Sequence, residues 1–424
     1  MATDVEVQYF SHLNGLVLGN NWGDLIRLLD KTLVTGLDFT QITAASIDTQ
    51  GDVHITLYSA HNAMLLQVVE LSGFAPASLN QRYRIKGVPN TTQLILKPSL
   101  NIVERSITTF GTGKLASLGY DIIFRDANDV KRVYRARNPS AQHPFIRVDE
   151  SLASQDGTTG VYTSTYAKSA MIGLLDHMNH IDDYQNPDVL QLPFDTADPA
   201  KNWKITGTGI SVIKGWAKWH WAGGDSEVSA AANGNRDFVL VGCTDAFYFS
   251  PELGSAYSRA PLYGCGIINS ALRTTVIKPW FLMSYGYRGA ASGSTLNYYR
   301  YQLNLSTPLA FDDNAGAFFV PRFSEDSPIQ GNATATAIMP SYNSGLSNYT
   351  ASNDIAALEI PLKDRDSYLR GTLKHICFAA KDIRANPKPN PVLSDTSMYI
   401  SANVILDLNS PYIGGFYFYL GEFE

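Results

Sequence analysis

Short apolar or aromatic runs, each closed within a few positions by Gly, Pro, Asn or Ser, recur through this chain and constrain its fold more than any other feature. Beyond position 200 they occupy 204–213, 215–221, 238–241, 246–249, 275–283, 298–305, 317–321, 398–406 and 412–420. Runs of this length bounded by turn formers read as strands rather than helices. Their density predicts sandwiches or another closed β architecture. No fixed-period repeat relates them, which argues against a propeller.

Composition points the same way. Of 424 residues 45% are apolar and 17% charged, against about 25% charged in a typical soluble protein. The polar surface then falls largely to Ser, Thr, Asn and Gly, which suits β-rich assemblies with extensive subunit contacts. The length predicts two or three domains. With Lys plus Arg at 33 against Asp plus Glu at 39 and a net charge of −6, a phosphate backbone is not expected as a partner. The basic segment 125–137, with Lys131, Arg132 and Arg135, is interleaved with Asp126 and Asp129 and reads as the charged solvent face of a hairpin. Cys243, Cys265 and Cys377 are an odd number without Cys-x-x-Cys spacing, so buried free thiols are expected, and Cys243 could meet Cys265 only on neighbouring strands. The acidic start, Met1 to Asp4, lacks a secretory pattern, and no apolar run reaches the ~18 residues of a membrane span.

Along the chain, Trp22, Leu25, Ile26, Leu29 and Leu33 recur at helical spacing, with Asn20 or Asn21 as N-cap and Gly36 as an αL C-cap, so a helix is expected here, packed on the β unit that follows. Strands are expected over 52–58, then over Gln67 to Leu71, Tyr83 to Val88 and Gln93 to Leu96, separated by Ser72-Gly73 and Pro89-Asn90. Further strands are expected at 102–109, 120–124 and 130–136, the last two joined by an Asp126-to-Asp129 turn. The segment 187–199, with three prolines, marks a seam. The loops 223–235, 286–295 and 330–354 are rich in Gly, Ser, Asn and Ala, as surface arms are. The fold class predicted is mainly β with a short N-terminal helix: a small α+β N-terminal unit followed by a larger β-sandwich-like region. The divisions are 1–104, helix plus β module and candidate anchor; 105–199, hairpin-rich; and 200–424, β-rich with long loops.

Residues 59–96 also carry a resemblance. His61 before an apolar strand, Ser72-Gly73, Ala75-Pro76-Ala77, Leu79-Asn80, an aromatic-bearing strand and a last strand after a Val-centred turn resemble a small β module common in tailed-bacteriophage virion proteins. The order Val133-Tyr134-Arg135-Ala136, Asn138-Pro139-Ser140 and Phe145 to Glu150 is similar to a segment of an uncharacterised family of phage and prophage structural proteins, tail- or baseplate-associated. Leu16 to Leu37, Asn202-Trp203, Phe238 to Gly242 with Phe247-Tyr248-Phe249, and Leu369 to Leu373 resemble further pieces of that family in order. The run Trp216 to Trp221 and the segment Ser341 to Asp354 have no counterpart in it. The resemblance implies a strand at Met171 to Met178, where spacing alone favours a short helix; the strand is the expectation.

The chemistry-bearing constellations are few. His177, His180, Asp182 and Asp183 have metal-like composition but no defining spacing, and a hydrogen-bonded polar turn is expected. Trp216, Trp219 and Trp221, with Lys214, Lys218 and His220, read either as a half-buried strand whose indoles pack in a core or interface, or as a glycan platform. Gly111-Thr112-Gly113-Lys114 lacks phosphate-loop spacing, and no Gly-x-Ser-x-Gly elbow occurs. No catalytic, metal or cofactor-binding residue is assigned, and an enzyme is not expected. What the resemblance implies is a virion structural protein of the tail, baseplate or neck, assembled in the host cytoplasm through symmetric contacts with copies of itself and other virion proteins. The alternative is a virion-borne protein binding a host-surface saccharide through Trp216, Trp219 and Trp221; the third is a capsid decoration protein or tail-associated glycan hydrolase.

Overall fold

The computed structural model describes residues 3–195, 197–207, 212–222, 230–252, 261–272, 277–286, 309, 317–322, 332–338, 357–364, 366–379, 389–402 and 415–424. The expected strand at 298–305 lies outside them, as do most of 286–295 and positions 339–354 of the loop expected at 330–354; the start of that loop is instead a strand, Asn332–Ala337, because it finds partners on both sides in Ala317–Pro321 and Leu358–Asp364. The fold is mainly β, and every strand pairing in it is antiparallel.

The N-terminal module is a seven-stranded sheet in the order Leu37–Asp38, Thr112–Leu115, Val68–Ser72, Arg82–Asn90, Gln93–Pro98, Val53–Leu57, Ile42–Ile47. The three strands expected across the Ser-Gly and Pro-Asn turns are present. His61 clamps the second turn, its Nε2 lying 3.2 Å from the carbonyl oxygen of Asn90 and its Nδ1 accepting the Ala63 N–H at 3.0 Å.

The division at 104 is redrawn by strand pairing. Thr112–Leu115 lies past it yet pairs with Val68–Ser72, and Gln8–Ser11 leaves the module to pair with Phe238–Gly242. The division at 199 is crossed as well, since Lys168–Leu175 pairs with Ala217–Ala222. The expected strand at 102–109 is instead a strap without regular structure. Among the described residues its backbone pairs only with Ala75, through Thr108 and Thr109, while Ile102 is buried and the Arg105 guanidinium donates to the Asp48 carbonyl at 3.0 Å. With no neighbouring strand to take its backbone groups, it forms no ladder.

The body continues as linked sheets. One runs Tyr120–Arg125, Lys131–Ala136, Phe145–Asp149, Lys168–Leu175, Ala217–Ala222. The next holds Gln8–Ser11, Phe238–Gly242, Ala246–Pro251, Tyr263–Ile267, Trp280–Gly286, Ala317–Pro321 and Asn332–Ala337. The last holds Leu358–Asp364, Leu369–Phe378, Phe416–Glu422, Ser397–Ala402 and Asn390–Ser394. The middle sheet is buried on both faces. Leu240, Phe247, Phe249 and Leu282 enter one core with Trp219 and Trp221, while Val241, Tyr248, Phe281 and Met283 enter another with Ile376, Phe378, Ile400 and Phe418. Burial on both faces explains why these strands read as continuous apolar runs without polar alternation. Lys168–Leu175, where spacing alone favoured a helix, is such a strand and is buried along its length.

The expected helix is a single α segment, Asp24–Leu29, followed by a π segment, Asp30–Thr35. Its N-cap is Gly23 rather than Asn20 or Asn21, because the Glu150 carboxylate takes the N–H groups of Gly23 and Ile26, the latter at 2.8 Å. Gly36 has φ 73° with an extended ψ of −168°, so it ends the π turn without an αL cap. Besides sharing a core with the module, the helix is anchored by the middle hairpin: Arg132 pairs with Asp30 at 3.2 Å, and the Tyr134 hydroxyl donates to Asp30 at 2.7 Å. Arg132 is buried and also meets Asp126 and Asp129, and Lys131 reaches Asp182 at 3.0 Å. Arg132 is therefore the centre of a buried ion-pair network, while Arg125 and Arg137 keep the solvent face expected of the segment. Its turn forms as expected, the Asp126 carboxylate accepting from Asn128, Val130 and Lys131.

Candidate functional site

The tryptophan strand is interior. Trp219 and Trp221 have no exposure; Trp219 stacks on Tyr263 at 5.9 Å between centroids and donates its indole N–H to the Met283 carbonyl at 2.9 Å, and Trp221 meets Trp22 edge-on at 5.8 Å. Lys218 and His220, expected on a solvent face, are buried too. The strand is buried on both sides, and core packing, not a sugar platform, is what these two indoles do. Trp216 alone is half-buried; one ring face carries Lys201 Nζ at 4.7 Å and its edge meets Phe319.

The histidine and aspartate group is pulled apart by its partners. Asp182 pairs with Arg147 at 2.6 Å, Asp183 accepts the Asn179 N–H at 2.7 Å, and His177 Nε2 lies 3.1 Å from Asn179 Oδ1. This is the polar turn. Arg147 is fully buried, paired also with Asp149 at 3.0 Å, and lies over the rings of Trp203 at 4.2 Å and Tyr184 at 4.8 Å.

Two polar groupings arise from residues more than 100 positions apart, which no local spacing reveals. Cys243 Sγ lies 3.2 Å from His375 Nε2, and His375 has φ 59° inside a register shift of its strand. Burial pushes the thiol up to about 12, and burial followed by the Lys374 charge brings the imidazole down to about 4. Both are neutral near pH 7, and moving the proton from sulfur to nitrogen is strongly uphill, so the pair is no activated nucleophile. Beside it, Asp245 binds His143 Nε2 at 2.9 Å and the Lys374 ammonium, contacts that hold its carboxyl well below the usual range. Ser140 Oγ lies 3.0 Å from His143 Nδ1, the residue types of a nucleophilic triad. That nitrogen, however, already accepts the Ser140 backbone N–H at 2.9 Å. Its lone pair is shared, and the imidazole serves as a clamp tying the loop to the middle sheet. Cys243 and Cys265 are free, with Ala246–Pro251 running between their strands.

The strongest candidate for contact with another molecule is one end of the N-terminal module. The body grips the other end: Gln8 Nε2 donates to the carbonyls of Val68 at 2.8 Å and Ala116 at 2.9 Å, and the Tyr9 hydroxyl to Leu65 at 2.6 Å. Arg84, buried without a carboxylate at its guanidinium, donates to the carbonyls of Asp4, Val7, Leu66 and Leu420. Antiparallel register places the turns 48–52 and 73–81 and the strap 99–111 together at the opposite end. There Leu100 is 68% exposed, Val103 86% and Phe110 47%. The strand patterns predicted the module, but not that this strap would bury Ile102 and leave Leu100, Val103 and Phe110 uncovered.

Among the described residues no helix is long and apolar enough to cross a membrane, and no group of three His, Cys, Asp or Glu side chains is placed to hold a metal. Compared with known proteins, the chain matches no family model and no curated protein sequence.

Proposed function

We propose that this chain is a structural component of a tailed-bacteriophage virion, placed in the tail, baseplate or neck, with its N-terminal module as the docking element. The observation that carries the reading is the end of that module remote from the body, where Leu100, Val103 and Phe110 are exposed on a strap pinned by Arg105. Apolar side chains held uncovered on an ordered backbone suit a protein contact, since the strap is already positioned and binding has little left to order. The resemblance of residues 59–96 and 133–150 to virion proteins supplies the setting, and the doubly buried middle sheet supplies a rigid support. Core burial of Trp219 and Trp221 favours assembly over saccharide binding, and the neutral Cys243 and His375 favour assembly over catalysis.

Incorporation into particles tests this. A Leu100→Glu, Val103→Glu variant is expected to fold as the parent does and to be missing from purified virions. Its presence at the parental level would refute docking through this end, and failure of the parent itself to co-purify with particles would refute the virion reading.

A further inference from the structure

The two edges of the module sheet are unlike. One is Leu37–Asp38, two residues long and ending in a charge; the other is Ile42–Ile47, Ile-Thr-Ala-Ala-Ser-Ile, six residues with no charge and no proline. Exposed sheet edges are normally blunted by Lys, Pro, inward charges or brevity, because their free N–H and C=O groups accept another strand. The register shift between Ile42 and Ala44 disturbs only the start of this edge and leaves 44–47 regular.

The outward groups can be assigned. Asp48 donates its N–H to the Asp52 carbonyl at 3.0 Å, and Ile47, Ser46 and Ala45 face Val53, His54 and Ile55. Bonded pairs alternate along an antiparallel ladder, so Ala44, Ser46 and Asp48 turn their backbone groups inward. Ala45 and Ile47 present theirs to solvent. Their side chains, by contrast, face the core and are only partly buried there.

We infer that a second copy of this chain pairs antiparallel on the Ile42–Ile47 edge about a two-fold axis through Ser46, joining the two module sheets into one. Only an axis normal to the sheet keeps the core faces of both copies on one side, which requires it to pass through a residue. Through Ser46, Ala45 of each copy opposes Ile47 of the other, so every outward N–H and C=O of these two residues finds a partner. The Ala45 and Ile47 side chains gain apolar neighbours on the core side. On the solvent side Ser46 meets Ser46 and Ala44 meets Asp48, so no like charges are opposed. The strand is thus compatible with itself in a closed dimer, with the register in which both outward residues are paired. The inference deepens the assembly reading but is tested on purified protein, so its failure is separable from a failure to enter particles.

Sedimentation of the full chain is expected to show a dimer, and Ala45→Pro, which deletes one outward N–H per copy while sparing the inward ladder, to weaken it roughly tenfold or more. Ser46→Cys is expected to cross-link to a dimer on mild oxidation, because opposed positions without mutual hydrogen bonds lie ~4.5 Å apart at Cα, within disulfide reach. Ala44→Cys, whose two copies would lie ~13 Å apart, is expected not to. Peptide mapping identifies the linked cysteine against the native three. A folded monomer, a dimer indifferent to Ala45→Pro, or a Ser46→Cys protein that links no faster than Ala44→Cys would each overturn the inference.

Discussion

The backbone N–H of Ile26 donates to the carboxylate of Glu150 at 2.8 Å, so the first helix is capped by a residue 124 positions away. Glu150 has no exposure, and burial pushes its carboxyl up to about 8, against the pull of the Gly23 and Ile26 N–H groups and the Lys214 charge. An acid whose folded pKa lies above its unfolded value near 4.5 favours the folded state most below pH 4.5, and that contribution is lost as pH rises toward 8. Replacement by Gln removes the titration. The stability of the parent relative to Glu150→Gln is expected to fall between those pH values, read by urea unfolding at each pH. Parallel curves would show that Glu150 does not titrate there.

Arg147 joins two carboxylates and two rings, and its removal leaves the buried Asp149 carboxylate with the Ser151 N–H at 2.8 Å but without its ion pair. Breaking a buried pair from one side costs ~3–5 kcal/mol, so Arg147→Ala is expected to lower unfolding free energy by about that amount. Lysine is expected to rescue little, since an ammonium cannot lie flat over Trp203 and Tyr184 while reaching both Asp149 and Asp182. Denaturant midpoints of the parent and the two variants decide it; a lysine variant as stable as the parent would contradict the stacking argument.

At Gly36 the chain passes from the π segment into the module with φ 73°, and a Cβ built there would lie 2.2 Å from the Leu115 carbonyl oxygen. Leu115 belongs to the edge pair with Leu37, so relief would require parting the helix from the sheet. Gly36→Ala is expected to destabilise by more than the ~1–2 kcal/mol of left-handed strain alone, read as a lowered melting temperature. A neutral substitution would mean that the Leu37 edge yields freely.

What the sequence made legible was what local chemistry decides. The turns after Ser72 and at Asp126 appear where expected, the second set by its own carboxylate, whereas the Pro89-Asn90 turn falls two residues later: both residues extend the strand, and Thr91-Thr92 turn with the Thr92 N–H on Asn90 Oδ1. The strap at 102–109 was misread because its residues suit a strand while its neighbours supply none. Arg132 of the basic hairpin was misread because Asp30, its partner, lies about 100 positions away in the helix. Trp219 left two readings open for a similar reason: alternation with Lys218 and His220 implies one wet face, and only the sheets packed on either side bury both. Cys243 with His375, and His143 with Asp245, meet solely through tertiary structure.

The three thiols provide a graded test of that tertiary structure. Burial raises all of them, Cys243 to about 12 and Cys377 to about 11, with Cys265 above both. Only Cys377 is partly exposed. Alkylation requires both thiolate and access, so Cys377 is expected to react first in the native protein, slowly, while Cys243 and Cys265 react only as the structure opens. Iodoacetamide labelling followed by peptide mapping, with and without urea, measures the order. His375→Ala separates the two constraints on Cys243: if burial governs, its native-state labelling stays slower than that of Cys377, whereas rapid labelling of Cys243 would show that the imidazole, and not the surrounding core, shields the sulfur.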